Sequence, residues 1–460
     1  MSDIDGAEST DREGRSAIST RGAVAHLGIV ATVLALVLAC TPAPVAGPSD
    51  SSLGWGLTHT QYSADVGDSA AVKTARKALS AQSLPQNQHV MGWGAGNPEP
   101  SPGRYDFSAL DRRMDLIRQT GGTPVITLCC APDWMKGGTP GRTAWSRLET
   151  APSPDHYDDF AALAATVAER YPDVRHFIVW NEFKGFFDES KNRWNHEGYT
   201  ALYNRVHRAL KKVNEENLVG GPYLTMDSYP PRHTMNASDL RGPWGSIDQR
   251  VLNAFDYWNR HKAGADFVVV DGTSYTRNGT APPDEFRATD KFTAVGRWVR
   301  QRTSAPLWWA EYHIERGDNG DRDHGSESLH RALQAAGLIA MVKGGATTGF
   351  YWNPQNRGEP CARCLWRSTE LTDGTGGHAL PVLDLIRRFD KEFPPGTTYR
   401  SVDVAPDDAP KVRVLANDKV MLVVNTLDRP LKAKIDGRTV NLDGYQVRWF
   451  RAVARLGQHL

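Results

Sequence analysis

Two glutamates close apolar runs in this chain: Glu182 follows Asn181 in "HFIVWNEFKG", and Glu311 lies near the end of "LWWAEYH". The run Phe177, Ile178, Val179, Trp180 has no polar alternation, which suits a parallel strand covered on both faces. A carboxylate adds nothing to the packing of such a strand. Two of them suggest acid-base and nucleophilic work. Breaking the acetal bond between two sugars requires a carboxylic acid to protonate the leaving oxygen and a second carboxylate to attack carbon or to activate water. Glu182 alone has an equal claim to a structural role; joined to Glu311, and to Trp352 at the end of another apolar run, the catalytic reading is the stronger one.

Such a pair must be held face to face, and the pattern of elements supplies the frame. Eight short apolar runs read as strands: "LGWGLTH" from Leu53, "HVMGWGA" from His89, "TPVITLCC" from Thr123, "VRHFIVWN" from Val174, "NLVGGPYL" from Asn217, "DFVVVDGTSY" from Asp266, "PLWWAEYH" from Pro306 and "TTGFYWNP" from Thr347. Amphipathic stretches of helical period separate them, among them "FSALDRRMDLIRQTG" and the segments Thr200 to Asn214, Asp248 to His261 and Glu327 to Val342. Repeated strand-helix units without an early Gly-rich phosphate turn predict a (β/α)8 TIM barrel over residues 53–395. In that fold the C-terminal ends of the strands carry the chemistry, so Glu182 and Glu311 are expected on strands four and seven, facing one another. Short strands with Asp-Gly and Asn-Asp turns then predict a small antiparallel, sandwich-like β domain over 396–455.

The balance of 54 basic and 53 acidic residues provides no broad field for nucleic acid or anionic lipid. Recognition must be local, and 14 Trp suggest stacking surfaces for a ligand. Trp55, His59, Trp93, Asn97, Trp134 and Tyr223 stand at expected strand ends, where lining a cleft and packing under a loop are equally open. His313 is expected to point away from Glu311, and at most one of Trp308 and Trp309 to approach the site. No metal-binding spacing is present, and two carboxylates suffice for the chemistry, so neither metal nor cofactor is expected.

Arg15 and Arg21 precede an apolar run from Ala23 to Ala39 that is short for a membrane span, so residues 1–40 read as a bacterial export signal. The run closes on "VLAC", the form of a lipoprotein signal, which makes Cys40 the expected acylated residue and 41–52, rich in Pro, Gly and Ser, a flexible tether. Membrane association is expected only through that lipid. Cys361 and Cys364 are expected to form a local disulfide, and the adjacent Cys129 and Cys130 to be either packed thiols or an oxidised pair.

"VWNEF", "LWWAEYH" and "SPGRYDFSALDRRMDLIRQTGGTPVITL" leading into "APDWM" resemble the clan A glycoside hydrolases, most of all glycoside hydrolase family 39, with its β-xylosidases, α-L-iduronidases and exopolysaccharide glycosidases. The resemblance implies that Glu182 is the general acid/base, Glu311 the nucleophile, Asn181 a ligand of the sugar hydroxyl beside the reacting carbon and Trp352 the floor under the sugar. It implies retention through a covalent glycosyl-enzyme. The family's His-x-Tyr after strand six is replaced here by "VVVDGTSYT". Tyr275 is expected to donate to Glu311, and Asp271 stands near where the His would be. Trp134, Trp93 and His59 complete the expected substrate contacts. The expected protein is a monomeric glycosidase acting on a polysaccharide or oligosaccharide. A transglycosylase, or a carbohydrate-binding lipoprotein that has lost turnover, are the alternatives.

Overall fold

The computed structural model describes residues 51–451 except 231–235, 278–283, 316–324, 359–360 and 362. The expected export signal, Cys40 and nearly all of the expected tether therefore lie outside the described residues. No helix among the described residues is long and apolar enough to cross a membrane.

Eight parallel strands close into a barrel: β1 (Gly54–Thr58), β2 (Pro85–His89), β3 (Thr123–Leu128), β4 (His176–Val179), β5 (Leu218–Thr225), β6 (Phe267–Thr273), β7 (Leu307–His313) and β8 (Ala346–Trp352). Each strand pairs with its neighbours in sequence, and β1 meets β8. The principal helices that follow them are α1 (Ser69–Leu79), α2 (Ser108–Gln119), α3 (Tyr157–Arg170), α4 (His196–Val213), α5 (Gln249–His261), α6 (Asp290–Arg300), α7 (Glu327–Lys343) and α8 (Pro381–Glu392). Asp68, Asp248 and Ser326 cap α1, α5 and α7 by accepting from free backbone N–H groups of the first turn. Unit by unit this is the (β/α)8 arrangement that the alternation of patterns predicts.

The second strand is displaced from its expected place. "HVMGWGA" was read as strand because it is apolar, yet the strand ends at His89, and Val90 to Ala95 form the loop that carries Trp93. The true strand, "PQNQH", is polar and fully buried. Two of its side chains are satisfied by adjacent elements: Asn87 donates to Thr58 (3.1 Å) and accepts from Thr127 (2.9 Å), while Gln86 bonds His59 and Thr120. Hydropathy misses such a strand because hydrogen bonding, rather than dehydration, makes its burial tolerable.

The barrel interior holds a compact cluster of Val125, Ile178, Tyr223, Phe267, Val269, Trp308, Ala310 and Phe350. Trp308 stacks on Phe267 with ring centroids 3.7 Å apart and donates its indole N–H to the Ser51 carbonyl. Trp309 points outward, edge-on to Phe292 of α6. Neither ring reaches the C-terminal mouth.

After α8 come β9 (Val412–Ala416), β10 (Val420–Asn425), β11 (Leu431–Ile435), β12 (Arg438–Leu442) and β13 (Val447–Arg451). β9, β10 and β13 form a three-stranded antiparallel sheet and β11 and β12 a two-stranded one, with a small shared core of Val414, Val423, Ala433 and Val440. The stretch "RSVDVAP" contributes only the bridge between Val404 and Ile435 instead of a strand. The three-stranded sheet packs on α7, and Trp449 packs against Phe393.

Because Trp308 fills the barrel centre, Trp308→Ala is expected to lower unfolding stability by ~3–5 kcal/mol, read as a fall in the midpoint of urea denaturation.

Candidate active site

Glu182 is presented by a strained turn. β4 ends at Val179, and among the four residues that follow, Trp180, Glu182 and Phe183 have φ of 68°, 50° and 56°. Non-glycine residues in this left-handed region are held there by their surroundings, and such strain gathers at functional sites. The surroundings here are aromatic: Trp180 is edge-on to Phe160 and Phe186, and Phe183 stacks on Tyr199 at 3.9 Å.

Glu311 is aimed by a different device. Alternation along β7 puts Trp308 and Ala310 inside the barrel and would turn Glu311 outward. The register with β6 slips by one residue between the pairs Val270–Trp309 and Asp271–Glu311, and this bulge returns Glu311 to the mouth. A second slip, between Val269–Pro222 and Val270–Leu224, falls at Tyr223 of β5. The Tyr223 hydroxyl donates to Glu311 Oε2 at 3.3 Å.

The tyrosine at Glu311 is therefore Tyr223, one of the expected cleft residues, and not Tyr275. Tyr275 lies beyond the end of β6, buried, with the Arg277 guanidinium over its ring. His313 also corrects the expectation. Its Nε2 donates to Glu311 Oε1 at 2.7 Å, because residues two apart on a strand share a face. Burial works against the His313 imidazolium, but the bonds to Glu311 and Glu315 raise its pKa from 6.5 to about 9. Burial likewise pushes the Glu311 carboxyl up, and the His313 cation opposes that rise.

One oxygen from each of Glu182, Asp271 and Glu311 lies within 4.8 Å of the others. Lys184 Nζ sits 2.5 Å from Glu182 and 2.6 Å from Glu149. Glu182 and Glu311 thus each have a cation beside them, and Asp271 has none among the described residues. Beside it, Asn181 and His89 are buried, with Asn181 Oδ1 and both His89 nitrogens lacking a geometric hydrogen-bond partner among the described residues. Burial lowers the His89 pKa to about 3, so the ring is neutral. Trp352 and Trp93 stand edge to face at 5.9 Å, and His89 packs on both.

His59 and Trp134 do not reach this mouth. His59 is fully buried and neutral, with Nε2 donating to Gln86 and Nδ1 accepting from Ser63. Trp134 spends its indole N–H on the Glu99 carbonyl and packs edge-on to His156. Trp55 is buried against Phe389, and Asn97 bonds Thr143 and the Glu99 backbone within a loop. In these four cases an aromatic or polar residue near a strand end proves to be packing.

The loop after β8 closes one side. Cys361 and Cys364 are bonded as a disulfide, and Arg363 between them pairs with Glu315, which in turn faces His313. Cys129 and Cys130, after β3, also form a disulfide and are fully buried. On the Lys184 side opens a cleft of about 890 Å³ lined by Trp93, Trp145, Trp194, Phe187, Gln61 and Arg147, among others. Trp145 is 52% exposed there, a large apolar ring left in water. Neither Lys184 nor Trp145 carried a sequence signal, since Lys184 sits on a turn and Trp145 opens a single turn of 3-10 helix within a loop.

A histidine whose pKa is raised on folding contributes stability fully below its unfolded value, and that contribution is lost as pH rises through the folded one. The stability advantage of the native chain over His313→Gln is therefore expected to be largest below pH 6.5, on the order of 3 kcal/mol at most, and to vanish above about pH 9; thermal melts of both proteins across this range measure it.

Comparison with known proteins agrees with the fold. The model of glycosyl hydrolases family 39 matches residues 99–314. A β-xylosidase of Caldicellulosiruptor saccharolyticus is 31% identical over 139 residues, which span 28% of this chain and 27% of that protein. Among solved structures, a monomeric β-xylosidase from Caulobacter crescentus CB15 superposes with a TM-score of 0.53 at 18% identity, over 84% of this chain and 76% of that one. A family 39 glycoside hydrolase from Bacteroides cellulosilyticus WH2 gives 0.55 at 13% identity, over 88% and 81%. A conserved exported protein from Bacteroides fragilis gives 0.60 at 12% identity, over 88% and 98%. At such identities the superpositions speak for the shared fold alone. The family match over residues 99–314 makes this chain similar to the glycosyl hydrolases of family 39, and the superpositions show that it shares their fold.

Proposed function

We propose that this chain is a retaining glycoside hydrolase in which Glu311 attacks the anomeric carbon and Glu182 serves as acid and then as base. The observation that carries the reading is the spacing of the two carboxyl groups. Their nearest oxygens lie within 4.8 Å, close to the roughly 5–5.5 Å of retaining enzymes and short of the roughly 6.5–9.5 Å that inverting enzymes need to admit a water. Tyr223 and His313 orient Glu311 from both of its oxygens. Asn181 and His89 offer buried polar atoms to the hydroxyls of the sugar, and Trp352 offers its ring face.

The leaving group would lie on the Glu182 side, in the aromatic cleft reached past Lys184. That cleft accommodates several sugar units, which favours an oligosaccharide or polysaccharide over a small glycoside. Aryl β-xylosides are the natural first substrates, given the β-xylosidases among the relatives. We take the working unit to be a monomer, exported and held by a lipid on Cys40.

The test is mass spectrometry after incubation with 2,4-dinitrophenyl 2-deoxy-2-fluoro-β-xyloside and other 2-fluoro sugars. A glycosyl ester mapped to Glu311 is expected; an ester on another residue, or a product of inverted configuration, would overturn the assignment. Glu182→Gln is expected to reduce hydrolysis of unactivated glycosides by about 10²–10⁴-fold, the usual worth of a positioned acid, while leaving binding intact. Cys40→Ser is expected to move the chain from the membrane fraction to the soluble one; unchanged fractionation would remove the lipid anchor.

A further inference from the structure

The acid role of Glu182 raises a question of protons. Lys184 lies 2.5 Å from its carboxylate, an arrangement that favours the charged form, whereas a general acid must start with a proton. Burial would raise the Glu182 carboxyl, but the hydrogen bond with Asp271 and the Lys184 cation outweigh it and hold it below the usual range.

Charge balance around Asp271 points to the answer. Asp271 ends the regular part of β6, in register with Glu311 on β7 and Thr225 on β5, and is 2% exposed. Three carboxyl groups meet here with two adjacent cations, since Lys184 pairs with Glu182 and His313 with Glu311. Nearby Asp227 has its own partner in Arg277 at 2.6 Å. Among the described residues Asp271 has no ion-pair partner, and its Oδ1 accepts no hydrogen bond. One of its oxygens lies within 4.8 Å of a carboxyl oxygen of Glu182 and of Glu311, and two carboxyl groups brought together can share a hydrogen bond only if one of them carries a proton. The other groups that face it are Tyr223 and Asp227 from the β5 end and, from α6, the buried Lys291, which donates to Ser228 and to the Tyr275 carbonyl. None of these supplies a cation in contact with Asp271.

We propose that Asp271 is the proton store of the site, holding in the resting enzyme the proton that Glu182 delivers to the leaving oxygen. The catalytic half of this inference rests on the glycosidase reading above. In the first step the Asp271 O–H bond breaks as an O–H bond forms on Glu182. That proton passes to the glycosidic oxygen, the carbon–oxygen bond breaks with its electron pair kept by the leaving oxygen, and Glu311 forms an ester to the anomeric carbon. In the second step water attacks that carbon, Glu311 departs as carboxylate, and the water proton goes to Glu182 and back to Asp271. One water is consumed and the enzyme is restored. Asp271 is in these terms a positioning residue, acting on substrate only through Glu182. It stands near the place where the resembling family has a histidine.

Infrared difference spectroscopy tests the proton without any substrate. The native protein at neutral pH is expected to show the carbonyl band of a protonated carboxyl group that Asp271→Asn lacks and Asp271→Glu retains. No such band in the native protein, or its persistence in Asp271→Asn, would overturn the proposal. The catalytic half is read with two aryl β-xylosides. Asp271→Asn is expected to lose about 10²-fold in kcat/KM on the phenyl glycoside, which needs an acid, and under about 3-fold on the 2,4-dinitrophenyl glycoside, which does not. Its alkaline limb should shift to lower pH, and Asp271→Glu should restore it; equal losses on both glycosides would reduce Asp271 to a structural part. If no glycoside is turned over by the native chain, the glycosidase reading fails while the infrared result still decides the location of the proton.

Discussion

Three carboxyl groups meet within a few ångströms of one another beside only two cations, and this imbalance of charge organises the mouth of the barrel. Removing a charge from water is expensive unless it is paired. Glu311 has the His313 imidazolium, Glu182 has the Lys184 ammonium, and Asp271 has no cation of its own among the described residues. The pairing propagates outward: His313 faces Glu315, Glu315 pairs with Arg363, and Arg363 sits in the disulfide-closed loop after β8. A loop that looks peripheral is thereby tied through a chain of charges to Glu311.

The barrel contributes geometry more than chemistry. A regular strand would turn Glu311 away from the mouth, and a regular turn would not place Glu182 opposite it. A register slip in β7 and three left-handed residues after β4 correct both. Such irregularity costs stability. It is sustained by the interior cluster around Trp308 and Phe267 below and by the aromatic packing around Trp180 and Phe183 at the side.

Much of the fold was legible because it depends on periodicity. Most strands and helices read from apolar spacing recur near their expected bounds; "RSVDVAP" forms only a bridge, and β2 is displaced, since its burial is achieved by Gln86, Asn87 and their hydrogen-bond partners. Of the site, Glu182, Asn181, Glu311 and Trp352 were legible as polar or aromatic residues where apolar runs end. Tyr223 was one candidate among several that strand ends alone could not rank, and His59 and Trp134 looked equivalent to it. They differ only in what surrounds them: His59 and Trp134 have their polar atoms satisfied inside loops, whereas Tyr223 points its hydroxyl at Glu311.

By itself, then, the sequence determined the succession of strand-helix units and the two strand ends that carry glutamate, because hydrophobic periodicity and local order are properties of neighbours along the chain. The tertiary structure alone decided that Asp271 meets Glu182, that Lys184 neutralises it, and that His313 shares the face of Glu311. Charge compensation acts through space between groups on different strands, and a one-residue bulge reverses which of them meet.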